Sequence, residues 1–189
     1  ASFLGVDEDG NIGHTLKDAE GKFGISTLLN RKGATGMRIY GSDETLRGQL
    51  ILNASQVPQL NLCDAAGKIR ALLGAFSDCT QLQLNDKEGV IRLLNSQWDD
   101  GDVASSLYNA EHKPRIGMQI NGEDSELRVW DGAGNQRATV GHVSRQARLG
   151  VYDAKVTFRA GSWVDDKADS ASSTVRNKTG SSVWEQSGK

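Results

Sequence analysis

The sequence predicts an all-β chain built from tandem hairpins of about 22 residues. Three observations lead there. A phrase, L-x-L-x-D-x-x-G-x-x-R, recurs along the chain; residues within each copy alternate apolar and polar with a period of two; and no stretch of ten or more residues holds a helical period. The phrase is plainest in "LNLCDAAGKIR" (60–70) and "LQLNDKEGVIR" (82–92). "DAAGKIRALLGA" comes nearest to a helix, but Gly67 and Gly74 interrupt it.

The Asp position of the phrase falls at Asp18, Asp43, Asp64, Asp86, Asn109, Asp131 and Asp153, the last five spaced by 22, 23, 22 and 22 residues. Arg follows six residues later at Arg70, Arg92, Arg115, Arg137 and Arg159. Gly21, Gly67, Gly89 and Gly134 hold the turn, and Leu46, His112 and Val156 replace glycine elsewhere. The turn has a mechanism: the Asp side chain bonds its own backbone, and Gly accepts positive φ without a steric cost. "VDEDGNIG" places a further turn 11 residues before the one at Asp18, so the underlying half-unit is one strand plus one turn.

Pairing around a two-residue turn sets Asp64 opposite Gly67. One face then carries Leu60, Leu62, Ile69, Ala71 and Leu73, and the other carries Asn61, Cys63, Lys68, Arg70 and Leu72. The same register groups Leu82, Leu84, Ile91 and Leu93; Leu127, Val129, Ala138 and Val140; and Leu149, Val151, Phe158 and Ala160. These sets are expected to face inward, because a slip of one residue would turn all of them to solvent. The pattern predicts roughly 14 to 16 strands of five or six residues each.

Three architectures fit: a long antiparallel meander closed into a barrel or sandwich, a β-solenoid with one coil per repeat, or sheets from several chains packing apolar faces around a common axis. A solenoid would stack the repeat arginines at about 4.8 Å, where like charges repel by roughly 1 kcal/mol per neighbour even in water. Apolar residues make up 37% of the chain, so a core built within one chain would be thin. The expectation is an elongated meander, β-prism or solenoid-like array completed by oligomerisation. Residues 1–13 form an N-terminal strand and turn, 14–160 the repeat domain, and 161–189 a Ser-rich cap or tail. "NSQWDDGDVASS" is expected to be an insertion or longer connection.

Composition narrows the function. A net charge of −2 lacks the basic footprint of a nucleic-acid binder. No apolar run reaches the length of a membrane-spanning helix. The chain begins "ASFLG", without Met or a charged leader, so any signal peptide is expected to have been removed already. Cys63 and Cys79 form neither a CxxC nor a zinc pattern, and leave a disulfide open. "NAS" at Asn53 and "NKT" at Asn177 match the glycosylation acceptor pattern, which carries meaning only in a eukaryotic secreted protein.

Immediately before three successive turns stand Tyr108, Trp130 and Tyr152, each near a returning arginine: Arg115, Arg137 and Arg159. Flat rings beside guanidinium groups suit stacking on sugars and bonding their hydroxyls, so these six are the candidate ligand-binding residues. The competing reading is that the rings cover a neighbouring sheet or protomer. Carboxylate clusters at Asp7 and Asp9; Asp99, Asp100 and Asp102; Glu123 and Asp124; and Asp165, Asp166 and Asp169 lack the complete EF-hand pattern, and are expected to be solvated turn charge. His14, His112 and His142 make no metal motif. "DGAGNQR" lacks the third Gly of a dinucleotide fingerprint, and "KTG" at 178–180 has no accompanying S-x-x-K. Neither G-x-S-x-G nor a Walker loop occurs. No enzyme activity, metal or cofactor is expected.

Serial L-x-L-x-D-x-x-G-x-x-R units resemble the β-repeats of bacterial and phage fibre-type proteins. "WDGAG" (130–134) and "YDAK" (152–155) are loosely similar to the Tyr-Asp repeats of large bacterial shell-forming proteins, with Arg three residues after the Gly position instead of one. The likeness covers most of residues 14–160. It implies an extracellular, virion-surface or cell-surface part with structural or adhesive work, a homo-oligomer (trimer or polymer), and a glycan as candidate partner. The expected function is a subunit of a β-rich fibre or filament; the alternative is a carbohydrate- or receptor-binding module using the aromatic–Arg stripe.

Overall fold

A computed structural model describes residues 2–30, 34–165 and 170–188, and of Phe23 the backbone alone. Among the described residues every regular element is a strand, and there are seventeen. The chain divides into two compact units, residues 1–91 and 92–189.

The first unit carries β1 (Ser2–Val6), β2 (Ile12–Lys17), β3 (Phe23–Leu29), β4 (Thr35–Tyr40), β5 (Leu46–Leu52), β6 (Pro58–Cys63), β7 (Ile69–Ala75) and β8 (Cys79–Asn85). Each pairs antiparallel with the next in sequence. The second unit opens within β9 (Ile91–Trp98) and continues through β10 (Val103–Tyr108), β11 (Pro114–Asn121), β12 (Asp124–Trp130), β13 (Gln136–Val143), β14 (Gln146–Tyr152), β15 (Phe158–Asp165), β16 (Ser170–Arg176) and β17 (Ser182–Gly188). From β9 to β17 the pairing is again antiparallel and sequential. The tandem-hairpin meander is therefore the fold of each unit, and among the described residues no strands stack in parallel as a solenoid requires. The expected connection at 95–106 is not an insertion: it is the end of β9, a turn at Trp98–Asp102, and β10.

Eleven turns among the described residues share one hydrogen-bond pattern. They start at Asp7, Asp18, Gly41, Asn53, Asp64, Asp86, Trp98, Asn109, Asp131, Asp153 and Asn177; the first residue donates its N–H to the fifth and accepts from the fourth. In most of them the Asp or Asn side chain also accepts from the fifth residue's N–H, as Asp64 does from Lys68 (3.1 Å) and Asp153 from Thr157 (2.9 Å). The repeat phrase predicts the second turn at Asp43 and Leu46. It starts two residues earlier, with Gly41 in the Asp position and Glu44 (φ 60°) in the Gly position. This restores the spacing and brings Arg47 into line as a further repeat arginine, six residues after Gly41.

The register differs from the two-residue turn in an instructive way. Leu62 stands opposite Ala71, not Ile69, and Leu60 opposite Leu73. The shift is two residues, so parity survives and Leu60, Leu62, Ala71 and Leu73 still share a face. The extra length is taken up by a bulge. Cys63 pairs with Ile69 while Leu62 pairs with Ala71, leaving Arg70 as the inserted residue. The same slip isolates Arg47, Arg115, Arg137 and Arg159. The arginine of the phrase is thus the bulge residue. The bulge also turns the preceding residue to the other face, so Ile69 and Phe158 oppose Cys63 and Tyr152 and leave the apolar sets assigned to them from sequence.

The fourth turn position has positive φ throughout, including at Val156 (φ 59°) and His112 (φ 57°). A β-branched residue there is strained, by about 1–2 kcal/mol relative to a residue free of Cβ crowding. Val156→Gly is therefore expected to raise the urea midpoint by the equivalent of about 1 kcal/mol, after the greater unfolded-state freedom of Gly is subtracted. A lower midpoint would contradict the turn geometry.

Packing is the largest correction to the sequence reading. The apolar face is not inward. Leu62 is 52% exposed, Leu50 54%, Leu73 47% and Val140 48%, and Cys79 is the one buried hydrophobic side chain among the described residues. The buried side chains belong to the polar face: Asn61, Glu126, Thr139 and Thr174. Bulky aliphatics stand outward in solvent, while small and polar groups are covered.

Candidate functional site

Register builds the exposed face into rows. In the first unit Met37, Leu50, Leu60, Leu73 and Leu82 pair successively across β4 to β8, and Leu16, Ile25, Ile39, Gly48, Leu62, Ala71 and Leu84 form a second row. In the second unit Leu107, Ile116, Val129, Ala138 and Val151 make a row, with Met118, Leu127, Val140 and Leu149 beside it. Alternation places these residues on one face, and cross-strand pairing makes the stripe continuous within each unit.

The opposite face is a network of charges and rings. Asp64, Asp131 and Asp153 hold Arg70 (3.6 Å), Arg137 and Arg159 of their own hairpins. The arginines also reach the next turn on the same side of the unit. Arg47 Nη1 donates to the carbonyl of Asp64 (2.7 Å), Arg70 Nε to that of Asn85 (3.0 Å), and Arg159 to Asn177 and Lys178. These bulges thus tie one turn to the next, and the intervening strand keeps the like charges apart. Asp131 and Asp153 are held at about 2, chiefly by the backbone N–H groups of Asn135 and Thr157 and further by Arg137 and Arg159.

This geometry places the six candidate ligand residues. Tyr108, Trp130 and Tyr152 are half-buried and share the polar face with the arginines. Arg137 and Arg159 are engaged by turn carboxylates, and Arg115 lies against Gly132 of the following turn, 3.4 Å from where a Cβ would stand. Trp130 covers Gly117: Cη2 and Cζ3 come within 3.0 Å of the position a Cβ would take there, so only glycine admits the ring so closely. Tyr108 packs on His112 of its own turn, with ring centroids 4.8 Å apart. Trp130→Ala is expected to cost about 2 kcal/mol, roughly half the loss for a fully buried Trp; a change under 0.5 kcal/mol in urea denaturation would show a ring that supports nothing beneath it.

The sequence reading missed Glu126. Its side chain is 2% exposed and accepts from Arg128 Nε (2.6 Å), Arg148 Nη2 (2.8 Å) and the hydroxyl of Thr139. Burial alone would push the carboxyl up; the three donors outweigh that and hold it at about 2. Arg148 on β14 reaches across β13 at Gly141, which opposes both Glu126 and Arg148. A Cβ at Gly141 would fall 2.2 Å from the carbonyl of Ser125 and 3.1 Å from Glu126 Cβ. The signal was present in sequence: Arg148 follows Glu126 by 22 residues, one repeat, so the two stand on neighbouring hairpins.

The acidic clusters serve their turns. Asp7 accepts from Asn11, Asp102 from the N–H of Gly122, Asp124 from that of Ser144, and Asp165 from Gln146. Asp166 and Asp169 lie outside the described residues. Asn53 and Asn177, of the glycosylation patterns, likewise close turns with their side chains. Cys63 and Cys79 are both free thiols. Comparison with protein-family models and with curated proteins finds no match.

Proposed function

We propose that this chain is a structural subunit of a β-rich fibre or filament, working outside the cell or on a virion or cell surface, in which several copies, as a trimer or polymer, bury their apolar faces against one another. One observation carries the reading: the face selected by every repeat for Leu, Ile and Val stands in solvent, while Asn61, Glu126, Thr139 and Thr174 of the polar face are buried. In the first unit, Ile25, Ile39, Leu50, Leu60, Leu62, Leu73, Leu82 and Leu84 offer on the order of 600 Å² of apolar surface, against the roughly 800 Å² each partner gives to a standard interface. A monomer seldom leaves a patch of that extent open. The exterior setting follows from the resemblance to fibre-type repeats, and catalysis has no part in the proposal.

Light scattering tests it. The expected mass is a multiple of 20.4 kDa that does not change on dilution. A chain that stays at 20.4 kDa into the high micromolar range would overturn the reading.

A further inference from the structure

On the polar face of the second unit, three rings meet where β14, β15 and β16 run side by side. Phe158 lies between Tyr152 and Trp163, at centroid distances of 5.9 and 6.2 Å, with both neighbours edge-on at 75° and 72°. The Arg176 guanidinium stands over Phe158, 5.5 Å from its centroid. These groups, with Arg148 and Gln146, line an open cleft of about 270 Å³.

The cluster departs from the repeat. The position held by Phe158 is Gln136 in the preceding hairpin, Pro114 in the one before, and Ile69 in the first unit. The repeated turn and bulge form without an aromatic there, so hairpin packing does not require the trio. Its charge also differs from that of the two preceding repeat arginines. Arg137 and Arg159 are neutralised by their turn carboxylates, whereas Arg176 makes no ion pair with any described carboxylate. Arg148 is held by Glu126 through Nη2, yet its Nε is buried at the cleft without a hydrogen-bond partner. A half-buried aromatic surface therefore sits beside an exposed guanidinium that no described carboxylate engages.

We propose that this cleft binds a pyranose ring bearing a carboxylate, a hexuronate-type sugar, stacked by its apolar C–H face on Trp163 with its carboxylate on Arg176. The ring volume suits a single sugar, the aromatic walls suit its apolar face, and the uncompensated guanidinium selects the acid over a neutral hexose. Leu149 borders the cleft, but the rings and Arg148 stand on the face opposite Val140 and Val151, so burying the apolar rows in an assembly leaves the ring side open. The site does not depend on the fibre reading, and either can fail alone.

Tryptophan fluorescence and calorimetric titration of the full chain test it, using glucuronate, galacturonate and their oligomers, methyl glucoside, and sodium benzoate. The expected result is binding of the acidic monosaccharides at about millimolar Kd, with methyl glucoside roughly tenfold or more weaker. Tighter binding of the oligomers would identify a polymer-borne source of the sugar, and equal binding the free sugar; both support the site. Arg176→Gln is expected to bring the acid down to the neutral level. Trp163→Ala is expected to abolish binding while Trp163→Phe retains it, which separates loss of the wall from loss of the fold. Equal affinity for acid and neutral sugar, benzoate binding as tightly as glucuronate, or no response to any of them would overturn the proposal.

Discussion

Leu62→Glu together with Leu84→Glu is expected to reduce the assembly to single 20.4 kDa chains while leaving strand content by circular dichroism unchanged. The two residues flank Ala71 in one apolar row. Leu62 is 52% and Leu84 39% exposed in the single chain, so a carboxylate at either position keeps its water and costs the fold little. In an assembly the same positions are covered. Burying the exposed part of each Leu contributes about 1 kcal/mol, and an unpaired carboxylate in its place costs several more. Together these weaken each interface by roughly a thousandfold or more. Lys87→Glu, in an 81% exposed turn position, changes net charge by the same two units and is expected to leave the mass unaltered. Dissociation by both variants would point to bulk charge, and dissociation by neither to a different interface.

The second large effect centres on Glu126. Its carboxyl titrates at about 2 in the folded chain against 4.5 for the free side chain. A depressed folded value means stability that is complete above about pH 4.5 and drains away as pH falls towards 2. The shift corresponds to about 3 kcal/mol at neutral pH, in keeping with the cost of leaving two partly buried arginines without their anion. Glu126→Gln is thus expected to lose about 3 kcal/mol in urea denaturation at pH 7 and less than about 1 kcal/mol at pH 2. Asp131 and Asp153 titrate over the same range in both proteins, so they cancel in the difference. A gap that stays constant from pH 7 to 2 would show that Glu126 acts through shape alone and not through charge.

Much of the hairpin array was legible in sequence because its determinants are local. A turn needs Asp or Asn at its first position and a residue tolerant of positive φ at its fourth, and period-two alternation needs only the strand between. Gly41 escaped because glycine brings no side chain to the first position and Glu44 no glycine to the fourth. The bulge escaped for a related reason: a pattern of alternation reports parity, and the bulge together with the longer turn displaces the partner strand by two residues, leaving parity intact. Phe158 and Ile69 were misplaced because only the bulge itself breaks alternation, at the residue just before each arginine.

The candidate stripe shows where local reading stops. Tyr108, Trp130 and Tyr152 recur at one position and do share a face with the arginines. Whether a ring is a platform or a cover depends on what lies beneath it, and that is Gly117 for Trp130, a residue two strand positions away on the neighbouring strand. Glu126 is a stronger case. Its burial requires Arg128, Thr139 and Arg148 from three strands, none of which the repeat phrase includes.

Sequence alone determined the hairpin, its period and, apart from the residue just before each repeat arginine, which residues share a face, since each follows from turn chemistry and alternation within about a dozen neighbours. It could not determine which face is covered. Burial is a property of what approaches from outside the strand, and here the polar side chains and glycines of one face close over each other while the aliphatic rows stay open to solvent, Leu127 at 36% and Leu50 at 54% exposure. Tertiary structure decided that inversion, because covering one face and baring the other are equally compatible with the same alternating pattern.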